Sequence, residues 1–213
     1  MKLDSLALNW FDLLTMCVLV LGFMTGRKRG MSEEMLDVFQ WLATVVVCAM
    51  LYKDLGQFLA NFTHMDLAAG YVTAYLFTLV MISMVFSGIK RLVGEKLVHA
   101  DAFGPLEYYL GMVAGGVRFF CMLFVLLALL HSKYVSAEQR AAELRMMKEN
   151  FGTITVPTIA ALQQTVFHES CFGMMIRQHL EAQMIEAVPP GVRAARPEPA
   201  ARRKERMVDE IIK

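Results

Sequence analysis

Apolar residues in this chain are gathered into four long runs, separated by short charged clusters. The runs cover about residues 6–26, 35–52, 67–89 and 106–130, and the last closes on FFCMLFVLLALL. A bilayer core of roughly 30 Å is crossed by about 20 apolar residues in a helix. Hydrocarbon offers no water to backbone amides, and a helix satisfies them internally. The pattern predicts an all-α integral membrane protein with four transmembrane helices. The first two runs carry polar intrusions, Asp12, Asp37 and Gln40. Alone, these two would also read as buried helices of a soluble domain; the third and fourth commit the chain to a membrane.

Between the third and fourth runs, residues 90–105 continue an amphipathic spacing through Ile89, Leu92, Val93 and Leu97. Gly104-Pro105 then closes the pattern, because proline cannot continue a helix from its N-terminal side. A helix lying at the membrane interface fits this segment. The expected membrane domain is 1–131. Residues 132–187 read as an amphipathic, helical tail, with a charged helix over 136–150 capped by Ser136 and an extended stretch over 151–158. Residues 188–213, rich in proline, alanine and arginine, read as a disordered basic end.

Composition agrees with this layout. The chain is 56% hydrophobic and only 19% charged, so the charges fall at the ends of spans. A formal net charge of +1 gives no general attraction to nucleic acid, and no such partner is expected. Cys17, Cys48 and Cys121 lie within apolar runs and read as small buried hydrophobes; Cys171 lies in the tail, and no CxxC pair occurs. The first run leads directly into Arg27-Lys28-Arg29 with no small-residue cleavage site before it, and reads as a retained span. That triplet, and Lys90, Arg91 and Lys96 in the third loop, place the first and third loops in the cytoplasm. Arg27, Lys28 and Arg29 are then a cytoplasmic anchor, and both termini lie outside.

Three ionisable residues stand out within or beside apolar runs. Asp12 follows Trp10, an interfacial aromatic, and is either a capping or snorkelling group or a buried acid facing the bundle. Arg118 sits about two turns into the fourth run, where it must pair with a carboxylate, line water or snorkel. Glu107 precedes it on roughly the same face. Gly22 and Gly26, and Gly111 and Gly115, form two small-xxx-small pairs that admit close helix approach, within the subunit or between subunits. Gly70, Ala74 and Thr78 make a further small-residue stripe. His168-Glu169 is not followed by the second histidine of a zinc protease motif, and neither GxSxG nor a phosphate-binding glycine loop occurs. No catalytic residue, metal or cofactor is expected, and the chain reads as non-enzymatic.

The stretch NWFDLL, followed by GFMTGRKRGMSEE, resembles the opening of the colicin V production protein (CvpA) family. The positions that carry the likeness are Asn9, Asp12, Gly22, Gly26, Lys28, Arg29, Gly30 and Glu33 or Glu34. Leu110, Gly111, Gly115 and Arg118, with Glu107 before them, resemble the family's second signature. The likeness covers about residues 8–131 and leaves the tail unexplained. It implies a small, multi-pass protein of the bacterial inner membrane, linked to toxin production or secretion and to envelope homeostasis. The alternative is a small oligomeric channel or solute transporter. Expected partners are the lipid bilayer, further copies of the chain, and secretion or envelope proteins.

Overall fold

A computed structural model of the protein describes residues 9–98, 104–136, 159–189 and 191–192. Four helices in it are long and apolar enough to cross a membrane. They are α1 (Trp10–Arg29), α2 (Met31–Thr63), α3 (Leu67–Val98) and α4 (Glu107–His131). Among the described residues there is no strand, only an isolated bridge between Lys133 and Val188. The protein is an all-α, multi-pass membrane protein.

Helix α1 opens on a capping box: the Asn9 side chain caps the first turn, and Asp12 reaches back to the Asn9 backbone. It ends at Gly30, whose φ of 83° is costly for any side-chain-bearing residue and lets α2 begin one residue later. Both central helices outrun the expected spans. The segment expected as a second loop, 53–66, is helical as far as Thr63, and the turn shrinks to His64–Asp66. Packing explains the extension: Gly56 and Ala60 of α2 accept Tyr71 and Gly70 of α3, so the hairpin stays closed beyond the apolar run. The amphipathic segment after residue 89 is likewise not a separate helix; α3 runs on through Val98. Gly104, with a positive φ, opens the short 3-10 turn Gly104–Leu106 that leads into α4.

Order in space differs from order in the chain. Helix α4 lies between α1 and α2, and α3 packs chiefly on the far side of α2. The spans therefore form a row, α1–α4–α2–α3. The central α4 is the most enclosed. Leucine, valine, phenylalanine and methionine side chains cover the outer faces, as at Leu13, Met16, Val20, Phe39, Met50 and Leu126. Such surfaces suit hydrocarbon, where exposed apolar groups carry no hydration cost.

The tail folds back onto the spans. Helix α5 (Ile159–Gln164) passes into a π-helical turn, Thr165–Glu169, and then into α6 (Cys171–Leu180) and a 3-10 turn, Glu181–Gln183. These elements form a cap over the end of the row where α1 begins and α4 finishes. Val166, Phe167, Ile176, Met184 and Ile185 join one apolar core with Phe124, Leu127 and Ala128 of α4. Gln163 donates to the carbonyls of Leu130 and Lys133 at 2.6 and 2.8 Å. The described residues run past the expected boundary at 187: Val188 is buried, and the Val192 carbonyl accepts from the Leu67 amide at 3.0 Å. The expected charged helix over 136–150, the extended stretch over 151–158 and the greater part of the expected basic end, 193–213, fall outside the described residues.

Candidate functional site

The membrane domain holds an ionic network where α2, α3 and α4 meet. Glu34 and Asp37 lie three residues apart and so share one face of α2. Arg118 of α4 enters between them, with Nη1 2.8 Å from Glu34 Oε2 and 2.8 Å from Asp37 Oδ2. Glu34 is fully enclosed and Arg118 is 6% exposed. Arg29 adds a second guanidinium at 3.5 Å from Glu34 and 3.4 Å from Asp37. From α3, the Lys90 ammonium bonds both Asp37 and Gln40. Three cations thus surround two carboxylates, and of the polar intrusions in the second span Asp37 faces Arg118 of the fourth while Gln40 faces Lys90 of the third.

Of the three ways to accommodate Arg118, the structure uses carboxylate pairing. Its partners are not Glu107. That residue turns toward the start of α2, where its Oε1 accepts from the Ser32 amide. The reason is local: Gly30 has no side chain to cap α2, and the first amides of a helix need acceptors. Glu107 supplies one from another helix and places its negative charge at the positive end of α2.

The two glycine pairs meet each other. Gly22 and Gly26 of α1 face Gly115 and Gly111 of α4 in an antiparallel seam. A Cβ on Gly22 would sit 2.9 Å from the Gly115 carbonyl oxygen, and one on Gly115 would sit 2.8 Å from Gly26 Cα. The obstruction is backbone in both cases, so it cannot swing aside. The packing is within the subunit. The stripe of Gly70, Ala74 and Thr78 is buried as well, with Gly70 against the Gly56 carbonyl of α2.

Asp12 is both a cap and a buried acid. It is 6% exposed, and its carboxylate accepts from Ser170 Oγ at 2.7 Å and from the amides of Phe172 and Cys171 at 3.0 and 3.2 Å. The Asn9 amide adds a fourth donor at 3.2 Å. Asp12 therefore holds the N-terminus of α6 against α1.

The seam and the ionic network hold Gly22, Gly26, Arg29, Glu34, Gly111, Gly115 and Arg118, all positions that carry the family likeness. The chain matches the colicin V production protein family over residues 11–151. It belongs to that family. In this colicin V production protein family member, the matched span holds both sides of the ionic network, the glycine seam and Asp12. The cap that Asp12 grips begins beyond the match. No curated protein and no solved structure matches the chain.

Reading the sequence singled out Asp12, Glu107, Arg118 and the four glycines, and the structure brings the glycines together and separates Glu107 from Arg118. It did not assign partner roles to Glu34, Asp37, Lys90 or Ser170. The spacing of Glu34 and Asp37 on one helical face was the available signal. Nothing local in the tail marks Ser170 as the partner of an acid in the first span. Among the described residues, no group of histidine, cysteine and acidic side chains is arranged to hold a metal ion.

Proposed function

We propose that the protein is an accessory component of the bacterial inner membrane, serving the production or secretion of a colicin V-type toxin and envelope homeostasis, and that it catalyses no reaction. Family membership supports the link to toxin production. The observation that carries a structural role for the charged residues is their mutual engagement: Arg118 with Glu34 and Asp37, and Lys90 with Asp37 and Gln40. Groups held in this way lock helices in register. Deleting the gene in a toxin-exporting strain should lower toxin in the medium, raise detergent sensitivity, and be rescued by the intact chain. Unchanged export together with unchanged detergent sensitivity would overturn the reading.

The cap and the start of α1 belong, in this reading, on the outer side of the inner membrane, opposite Arg27, Lys28 and Arg29. A reporter active only in the cytoplasm, fused at Lys213, should stay silent. Strong activity there reverses the orientation.

A second reading, an oligomeric channel or transporter, has one observation in its favour. The spans lie in a row rather than around an axis, and the side chains of Asp37 and Lys90 remain 22% and 34% exposed at the α2–α3 edge. Several copies would be needed to bring such edges around a shared path. Ion or solute flux into liposomes carrying the purified protein supports this reading, and its absence favours the accessory role.

A further inference from the structure

The three cations that close α1 do not serve one purpose. Arg29 turns inward to Glu34 and Asp37. Among the described residues, no carboxylate pairs with Arg27 or Lys28. With Met24, Tyr108 and Tyr109 they line an open groove of about 500 Å³ between the end of α1 and the start of α4. Met24, Tyr108 and Tyr109 are 54%, 58% and 63% exposed.

The glycine seam builds this groove. Because Gly26 and Gly111 bring the two backbones together, the residues that follow on α1 and precede on α4 stand side by side. Depth is set by length: the 20 residues of α1 rise about 1.5 Å each, so its last turn lies near the edge of a hydrocarbon core of roughly 30 Å. At that depth the phenols stand at headgroup level, where tyrosine rings are at home. Below them, Met24 continues the groove toward the apolar faces of the spans.

We propose that this groove is a binding site for an anionic phospholipid. Arg27 and Lys28 neutralise the headgroup phosphate, the Tyr108 and Tyr109 hydroxyls donate to its oxygens, and Met24 packs on the start of an acyl chain. A lipid fits better than a soluble anion for two reasons. The volume is that of a site for a molecule rather than an ion. The apolar half of the groove also needs an apolar occupant, which a free phosphate does not supply. Basic pockets between spans are a recognised route to headgroup selectivity.

The test is native mass spectrometry of the detergent-purified full chain, titrated with phosphatidylglycerol or phosphatidylcholine. The expected result is preferential retention of phosphatidylglycerol, weakened on the order of tenfold in an Arg27→Gln, Lys28→Gln double variant. Tyr108→Phe with Tyr109→Phe should weaken it less. All four changes are at exposed positions; should the cation double variant lose its folded profile, Lys28→Gln alone carries the comparison. Arg91→Gln, which removes an exposed cation of α3 at the opposite edge of the row, should change nothing. Three results overturn the proposal: equal retention of phosphatidylcholine, an equal loss on Arg91→Gln, or full displacement by an equal concentration of soluble glycerol phosphate.

Discussion

The Asp12 carboxylate and the Ser170 hydroxyl meet at 2.7 Å across a sequence separation of 158 residues. Ser170 is also the N-cap of α6, its Oγ accepting from the Gly173 amide at 3.1 Å. One hydroxyl therefore serves two helices: it closes the start of α6 and donates a hydrogen bond to the acid of the α1 capping box. The carboxylate additionally takes the Phe172 and Cys171 amides, which would otherwise be unsatisfied at the helix start. The contact ties the tail to the first span by charge-assisted bonds, which are about twice as strong as neutral ones.

Asp12→Ala should release the N-terminus of α6 without preventing membrane insertion. Each bond to a charged group contributes about 1.5–3 kcal/mol, and several are lost together. Amides 171–173 should exchange hydrogen at least about tenfold faster than in the parent. Unchanged exchange there would show that apolar packing around Ile176 and Phe167 holds the cap by itself.

Arg118→Met and Glu34→Gln should differ in cost. Removing the arginine leaves the enclosed Glu34 with only Arg29 at 3.5 Å, while Asp37 keeps Lys90, and losing one partner of a buried pair costs about 3–5 kcal/mol. Removing the Glu34 charge leaves Arg118 still bound to Asp37 at 2.8 Å. Thermal unfolding in detergent should therefore fall much further for Arg118→Met. Equal losses would mean that Asp37 contributes nothing to holding the arginine.

Gly115→Leu should disrupt the α1–α4 seam. Overpacking costs on the order of 1–3 kcal/mol, and the upper end applies here because the neighbour is the Gly26 backbone. Met122→Leu, a size-matched change elsewhere on α4, should be close to neutral. Size-exclusion profiles and unfolding midpoints of the two variants compare them directly; identical behaviour would remove the seam from the list of structural determinants.

Tyr75→Phe should leave stability unchanged or raise it. Tyr75 is fully enclosed, and among the described residues its hydroxyl has no hydrogen-bond partner. An unsatisfied buried hydroxyl costs about 1–3 kcal/mol, so deleting it relieves a penalty while the ring remains. A fall in the unfolding midpoint would reveal a bond that this hydroxyl makes.

The fold was largely legible because hydrophobic length is a coarse and robust signal. Four apolar runs became four spanning helices, and the two glycine pairs became one seam. The boundaries were less legible where helix continued beyond hydrocarbon. Lys53 and Asp54 look like a loop by charge, yet Gly56 and Ala60 pack on α3 and keep α2 helical to Thr63. The site was legible by residue and not by pairing. Glu107 and Arg118 share roughly one face of α4 but stand about three turns apart, and Glu107 caps the start of α2, where Gly30 has no side chain to do so. The partner of Arg118 depends on which helix α4 lies beside, and periodicity within one helix carries no information about that. The grip of Asp12 on Ser170 was hidden for the same reason.

The placement of α4 between α1 and α2 has a consequence for biogenesis. A chain emerging from the ribosome delivers α1, α2 and α3 before the helix that joins them. Until then α1 and α2 have little to bind them, since they scarcely touch in the finished structure. Glu34 and Asp37 spend that interval without Arg118, so an early intermediate must keep them near water or near Arg29 and Lys90. Arrival of the fourth helix is then a wedging step: its glycine face closes on α1 while its arginine closes on α2. Only after it does the newborn protein possess a surface on which the Ser170 end can settle.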